Sequence, residues 1–159
     1  MDIYFLRHGE AEEKSPGMED KDIPLTSKGA AAISDMSRFL KKKLKAFDLV
    51  LTSPLLRARQ TADIVSSILD CKGRIKESDN LLVGSTPLEF LDELKGYKGI
   101  KHLLVVGHQP HLGVCVAYLT ETSEEETGIK KGGSALVSID SLKKGKGRLV
   151  WLKAPTDFK

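Results

Sequence analysis

The sequence predicts an α/β protein: a three-layer α/β/α arrangement in which a mainly parallel sheet carries helices on both faces, with an antiparallel edge near the C-terminus. Three observations predict it. Short, apolar, β-rich runs alternate with stretches of helical periodicity, the pattern of parallel strands joined by right-handed crossovers. The last two such runs, SALVSI (134–139) and RLVWLK (148–153), are separated by lysines and glycines with no helical stretch between them, and so read as an antiparallel pair. The length of 159 residues with 40% hydrophobic content suits one domain, 1–159, with one core.

The elements follow in order. DIYFLR (2–7) is a short buried strand. LTSKGAAAISDMSRFLKKKLK (25–45) offers Thr26 or Ser27 as N-cap and then Ile33, Met36, Leu40 and Leu44 at helical spacing; the lysines 41–43 fall at its solvated end, where cations suit the helix dipole. FDLVLT (47–52) is a second strand. SPLLRARQTADIVSSIL (53–69) predicts a helix with Ser53 as N-cap, Pro54 at the first helical position and Leu55, Ala58, Ala62, Val65 and Leu69 along one face. RIKES (74–78) is a weaker strand, Thr86–Leu94 a helix, KHLLVVG (101–107) a strand, and Pro110 opens a helix to about Leu119. A polar acidic loop, TETSEEETGIKKGG, leads to the terminal pair.

Composition excludes several classes. Lysine plus arginine number 25 against 22 acids, a formal charge of +3 that gives no argument for nucleic acid or membrane binding. Cys71 and Cys115 form neither a disulfide framework nor a zinc pattern and read as thiols in a reducing compartment. No charged leader precedes the first strand, and no apolar run approaches the ~18 residues needed to span a bilayer, so the expectation is a soluble cytoplasmic protein.

In open α/β sheets, ligands sit beyond the carboxyl ends of the strands. Arg7 and His8 end the first strand, Ser53 and the helix carrying Arg57 follow the second, and Gly107 and His108 follow the fourth. Two imidazoles, two guanidiniums and two helix N-termini at one edge make an anion site, and the planar fork of arginine suits the tetrahedral oxygens of phosphate. Arg57 is preferred over Arg59, because two positions place the pair about 200° apart on a helix; Arg59 reads as solvent-facing or paired. His102, His108 and His111 raise the question of a metal, but no carboxylates cluster with them and the arginines repel cations, so neither metal nor cofactor is expected. His102 and His111 read as structural or surface residues.

Four ordered segments carry a resemblance: LRHGEA (6–11), LTSKG (25–29), SPLLRARQTA (53–62) and VVGHQPHLG (105–113). Over roughly the whole chain they resemble the histidine phosphatase superfamily, also called phosphoglycerate mutase-like. The short length, the GHQP segment and the KKGGSALVSI ending are most similar to its SixA-type phosphohistidine phosphatase branch. The resemblance implies that His8 attacks phosphorus to form a phosphohistidine, which water hydrolyses to inorganic phosphate, while Arg7, Arg57 and His108 bind the nonbridging oxygens. It implies as substrate a phosphorylated protein histidine or a small phosphorylated compound. To attack, His8 must be neutral, and a hydrogen bond from its other ring nitrogen to a nearby backbone carbonyl would fix the tautomer. Gly9 reads as a substrate-binding position that allows close backbone approach, or equally as a strand terminator. Ser53 reads as a cap.

The departure from the wider superfamily is the proton donor. Glu77, Asp79 and Glu89 fall in the interval where phosphomonoesterases and mutases carry an acid, and none has a diagnostic motif around it. Glu10 is a further candidate, alternatively a contact to an arginine. The segment AEEKSPGMEDKDIP (11–24) reads either as a rim that orders over substrate or as a surface loop. The alternatives to a phosphohistidine phosphatase are a small-molecule phosphomonoesterase and a non-catalytic phosphate-recognising module; a mutase ranks last, because it needs a closed site that this chain has little sequence to build.

Overall fold

The computed structural model describes residues 1–158. Six strands form one sheet: β1 (Asp2–Arg7), β2 (Leu49–Thr52), β3 (Ile75–Glu77), β4 (His102–Gly107), β5 (Ser134–Ile139) and β6 (Gly147–Lys153), in the order β3-β2-β4-β1-β5-β6. The pairs β1–β4, β2–β4 and β2–β3 are parallel, while β1–β5 and β5–β6 are antiparallel. Four helices cover the sheet: α1 (Ser27–Lys41), α2 (Leu56–Ile68), α3 (Pro87–Leu94) and α4 (His111–Thr120). Among the described residues, no helix is long and apolar enough to cross a membrane.

The strands are buried on both faces because alternate side chains feed two cores. Ile3 and Phe5 point with Leu51, Leu103 and Val105 toward α3 and α4, where Phe90, Leu112 and Val116 meet them. Tyr4 and Leu6 point with Val50, Leu104 and Val106 toward Ile33, Met36 and Leu40 of α1 and Ala58, Ala62 and Val65 of α2. Chain segments leaving the adjacent strands β1 and β4 therefore pass to opposite faces, and a crevice opens between them at the carboxyl edge.

Helix boundaries follow local chemistry, with two corrections, at the end of α1 and the start of α2. Thr26 Oγ1 accepts the Gly29 N–H at 2.9 Å and caps α1, whose turn-by-turn packing stops at Leu40, so Leu44 lies beyond the helix. At α3, Pro87 follows Thr86, which forms a capping box with Glu89. Helix α2 does not begin at Ser53: it starts at Leu56 after Leu55, which is extended and makes no side-chain cap, so Ser53 and Pro54 both precede the helix. Ser53 is diverted from the cap by a tertiary partner described below.

Candidate active site

The carboxyl edge is laced together by backbone hydrogen bonds that set the relative positions of the side chains. Arg7 lies in register with Gly107, and His8 N–H donates to the Gly107 carbonyl at 3.1 Å. Ser53 N–H donates to Val106 O at 2.9 Å, and Gly132 N–H to His8 O at 3.0 Å. The ends of β1, β2 and β4 and the segment before β5 thus form one frame. Within it the rings of His8 and His108 lie 5.0 Å apart between centroids, buried to 8% and 3% exposure.

The two imidazoles are held by opposite hydrogen-bond partners. His8 Nδ1 lies 2.7 Å from the Gly9 carbonyl oxygen, which can only accept. We assign the proton to Nδ1, which leaves the Nε2 lone pair free. His108 Nε2 lies 2.7 Å from Ser53 Oγ. That hydroxyl, fully buried, already accepts the Leu55 N–H at 3.3 Å, and its own hydrogen has no acceptor among the described residues other than His108 Nε2. We therefore assign His108 as the Nδ1–H tautomer, with an N–H left to offer.

Electrostatics keep both rings neutral. Burial above all, then the positive charges of Arg57, Arg7 and Lys131, push His8 down to about 4 against the Gly9 hydrogen bond. Burial, then His8 and Arg57, push His108 down to about 3, with Asp20 acting the other way. Arg7 is bound through Nη1 to the Ile129 carbonyl at 3.1 Å, and its Nε is buried without a partner among the described residues, a donor in need of an acceptor.

Arg57 stands in the first turn of α2. Its Nη1 donates to the Asp20 carbonyl at 2.9 Å, and its Nη2 lies 3.3 Å from the Asp20 carboxylate. Segment 11–24 is thus brought against Arg57 by Asp20, whose carbonyl takes one arm of the guanidinium and whose carboxylate takes the other, an arm an anionic ligand could also use. The same helix fixes the crevice walls: Thr61 Oγ1 receives the Gly9 N–H at 3.3 Å and donates to Arg57 O at 2.8 Å, while Gln60 Oε1 receives the Leu25 N–H at 2.8 Å.

Several expectations are corrected. With its N–H on Thr61 and its carbonyl on His8, Gly9 orients the histidine and has no group left for substrate. Its smallness is needed because a Cβ would sit 2.8 Å from the Gly29 carbonyl of α1. Ser53 is a partner of His108 and not a helix cap. Glu10 accepts the Thr26 hydroxyl at 2.9 Å and does not contact an arginine. Glu77 is paired with Arg59 at 2.9 Å, as the helical geometry of Arg59 required, and Glu89 is turned back onto its own N-cap, Thr86. Asp79, itself exposed, opens a 3-10 turn, and none of Glu77, Asp79 and Glu89 is among the main charges acting on His8 or His108. His111 is buried at the start of α4 against Phe90, while His102 lies 3.8 Å from Asp2 at the opposite end of β4.

Sequence reasoning missed Asp20 and the true place of Ser53. Asp20 sits in an acidic EDKD run that looks like a solvated loop, and its partner is 37 positions away. Ser-Pro before a helix is the statistical signature of a cap, and it masked the bond to His108, 55 positions away.

A mixed α/β sheet with paired histidines and arginines at the carboxyl edge of its parallel strands defines a class of anion-handling α/β proteins, and comparison with known proteins narrows it. Residues 3–81 match the family model of the histidine phosphatase superfamily (branch 1). The chain is 29% identical over 165 residues to phosphohistidine phosphatase SixA of Escherichia coli K12, covering 100% of this chain and 97% of that protein. It is 31% identical over 131 residues to the phosphohistidine phosphatase SixA homolog of Haemophilus influenzae, covering 75% of this chain and 77% of that one. The structure of the protein histidine phosphatase SixA complexed with tungstate superposes with a TM-score of 0.89 over 100% of both chains at 27% identity. The chain belongs to the histidine phosphatase superfamily, in its SixA-type branch.

Proposed function

We propose that this protein is a phosphohistidine phosphatase that works through a covalent phosphoryl group on His8, with the whole chain, 1–159, acting as one catalytic domain. The observation that carries the reading is the pair of buried imidazoles 5.0 Å apart, each held by a different hydrogen-bond partner and both under the charge of Arg57; with the tautomers assigned above, one presents a lone pair and the other an N–H. His8 Nε2 attacks phosphorus in line and the N–P bond of the substrate breaks; the departing imidazole, already protonated at its other ring nitrogen, takes the electron pair and leaves as the neutral base, so no proton donor is required. Water then attacks phosphorus, the P–Nε2 bond breaks, and the pair returns to His8 as inorganic phosphate leaves. Arg7, through its unpartnered Nε, Arg57 and the His108 Nδ1–H hold the nonbridging oxygens and offset their charge, so that positioning and electrostatics do the work a metal does elsewhere.

Phosphohistidine is favoured over an ester because an alkoxide leaving group needs a proton donor, a contribution of about 10²–10⁴ in rate. Glu77 and Glu89 are engaged with Arg59 and Thr86, away from the two histidines. Two buried free thiols, with Cys115 pushed up to about 12 by burial, suit a reducing cytoplasm. The small net charge supports neither a nucleic acid nor a membrane partner.

The test is a substrate panel. We expect kcat/KM for phosphoramidate or a phosphohistidine peptide to exceed that for phosphoglycerate and sugar phosphates by about two decades or more, undiminished by a chelator. Preference for a phosphate ester, lost on replacing Glu77, Asp79 or Glu89, would make the protein a small-molecule phosphomonoesterase instead. Phosphate binding with no turnover of any of these compounds would make it a recognition module.

A further inference from the structure

A cavity of about 500 Å³ borders Arg7 on the α1 side of the crevice, and the chemistry above leaves it unused. Its wall carries Lys28 at the start of α1 and Lys130 and Lys131 before β5, all exposed. Small apolar residues, Ala31, Ala32, Ala154 and Pro155, complete its lining. The walls are preformed: Gly133 N–H closes a turn on Lys130 O at 2.7 Å, Gly132 N–H is tied to His8 O at 3.0 Å, and Phe158 stacks on Phe39 of α1 at 4.7 Å between centroids.

The charge of this groove is unbalanced. Arg7, Lys28, Lys130 and Lys131 face two acids there: Asp35, which is paired with Arg38 at 3.1 Å, and Glu10, which accepts the Thr26 hydroxyl and keeps its charge. Among the described residues, Lys28, Lys130 and Lys131 form no ion pair. The chain's own acidic run does not neutralise them, because Glu121 and Glu124 border a separate cavity with Lys144 beside the C-terminal end of α4. In a protein of net charge +3, this is a local concentration of unmatched cations, and the charge of Lys131 reaches His8.

Of the residues proposed to hold the phosphoryl group, only Arg7 lines this groove. Whatever occupies the groove is therefore a neighbouring part of the substrate, anionic and able to lie close against alanine and proline. We propose that the groove is the docking surface for the protein that bears the phosphohistidine and that it receives an acidic segment next to the phosphorylated residue; this rests on the phosphatase reading. Cations at such a rim act by steering and register, so the effect should fall on KM and fade with salt.

The experiment compares two phosphohistidine peptides, one flanked by Asp and Glu and one flanked by Ala and Gln, with phosphoramidate as the small substrate. The full-length protein is used as wild type and as the Lys28→Glu/Lys130→Glu double variant. Lys131 is left intact because its charge also acts on His8. For the wild type at low salt, kcat/KM for the acidic peptide should exceed that for the neutral one by about tenfold, mainly through KM, and the gap should close as salt is raised. In the double variant the preference should vanish or invert, with phosphoramidate turnover within about twofold of wild type. Equal turnover of the two peptides by the wild type would overturn the docking surface alone, as would an acidic preference that survives the double variant. A loss on phosphoramidate as large as that on the acidic peptide would also overturn it, since the lysines would then act on catalysis or folding. No turnover of phosphoramidate or either peptide by the wild type would overturn the phosphatase reading and this one with it.

Discussion

The ends of β1 and β4 carry the same side chain, in register on adjacent parallel strands, yet they prepare it for opposite tasks. At the β1 end, a backbone carbonyl that can only accept holds His8 Nδ1 and leaves Nε2 a lone pair; at the β4 end, a buried hydroxyl with one free hydrogen holds His108 Nε2 and leaves Nδ1 a proton. Both rings are buried and both are pushed well below the ordinary histidine range, so neither role depends on permanent charge. On the proposed mechanism, the difference teaches that the nucleophile and the oxygen-binding donor are distinguished by the group behind each ring. One of those groups is main chain and beyond mutation, while the other is Ser53 and open to it.

The largest break in the comparison is His8→Ala, which removes the lone pair while leaving the arginines and His108. Turnover should fall by about 10⁴ or more, with phosphate or tungstate still bound within about tenfold of wild-type affinity, as read by isothermal titration. Comparable losses in rate and anion affinity would mean that His8 binds but does not attack.

Replacing Ser53 comes next in size. Ser53→Ala should lower kcat by about 10- to 100-fold, the range seen where an outer partner fixes a histidine tautomer, and should shift the ¹⁵N signals of His108 from the Nδ1–H pattern toward a mixture. Ser53→Thr, which keeps the hydroxyl, should restore part of the rate. A rate loss with unchanged His108 signals would reduce Ser53 to a packing residue.

The smallest effect is in pH dependence, and it sharpens the claim that burial keeps the rings neutral. Protonation of His8 removes its lone pair, and the free protein resists that protonation until about pH 4. The acid limb of kcat/KM, corrected for spontaneous hydrolysis, should therefore fall near pH 4 rather than near the ~6.5 of an ordinary histidine. The stability change has the same sign: the unfolded chain takes up these protons around pH 6.5, the fold only near 4 for His8 and 3 for His108, so stability is lost as pH falls through that window. An acid limb at pH 6 to 7 would mean that the rings are solvated in solution.

Much of this arrangement was legible in the sequence because it rests on local signals. The apolar runs ending in Arg7–His8 and Gly107–His108 place both histidines at strand ends, and the periodicity of Ala58, Ala62 and Val65 fixes which face of α2 is buried and so separates Arg57 from Arg59. A carbonyl behind His8 was expected from the need for a neutral nucleophile, but not which residue supplies it; the structure gives Gly9. Contacts across the fold were not legible. Ser53 has the local appearance of a cap, Asp20 that of an acid in a surface loop, and Gly9 that of a strand terminator or a point of close approach to substrate. Each is explained by a partner that only the tertiary structure supplies: His108, Arg57 and the Gly29 carbonyl.

The central claim is that the lone pair of His8 Nε2 accepts the phosphoryl group. It is tested most directly by mixing wild type with phosphoramidate, quenching into base within the first turnovers, and locating the phosphoryl group by peptide mass spectrometry and ³¹P–¹H correlation. The account predicts one phosphoryl group on the peptide containing His8, attached at Nε2 and absent from His8→Ala. Phosphorylation of His108, attachment at His8 Nδ1, or turnover with no covalent phosphoryl group at all would contradict it.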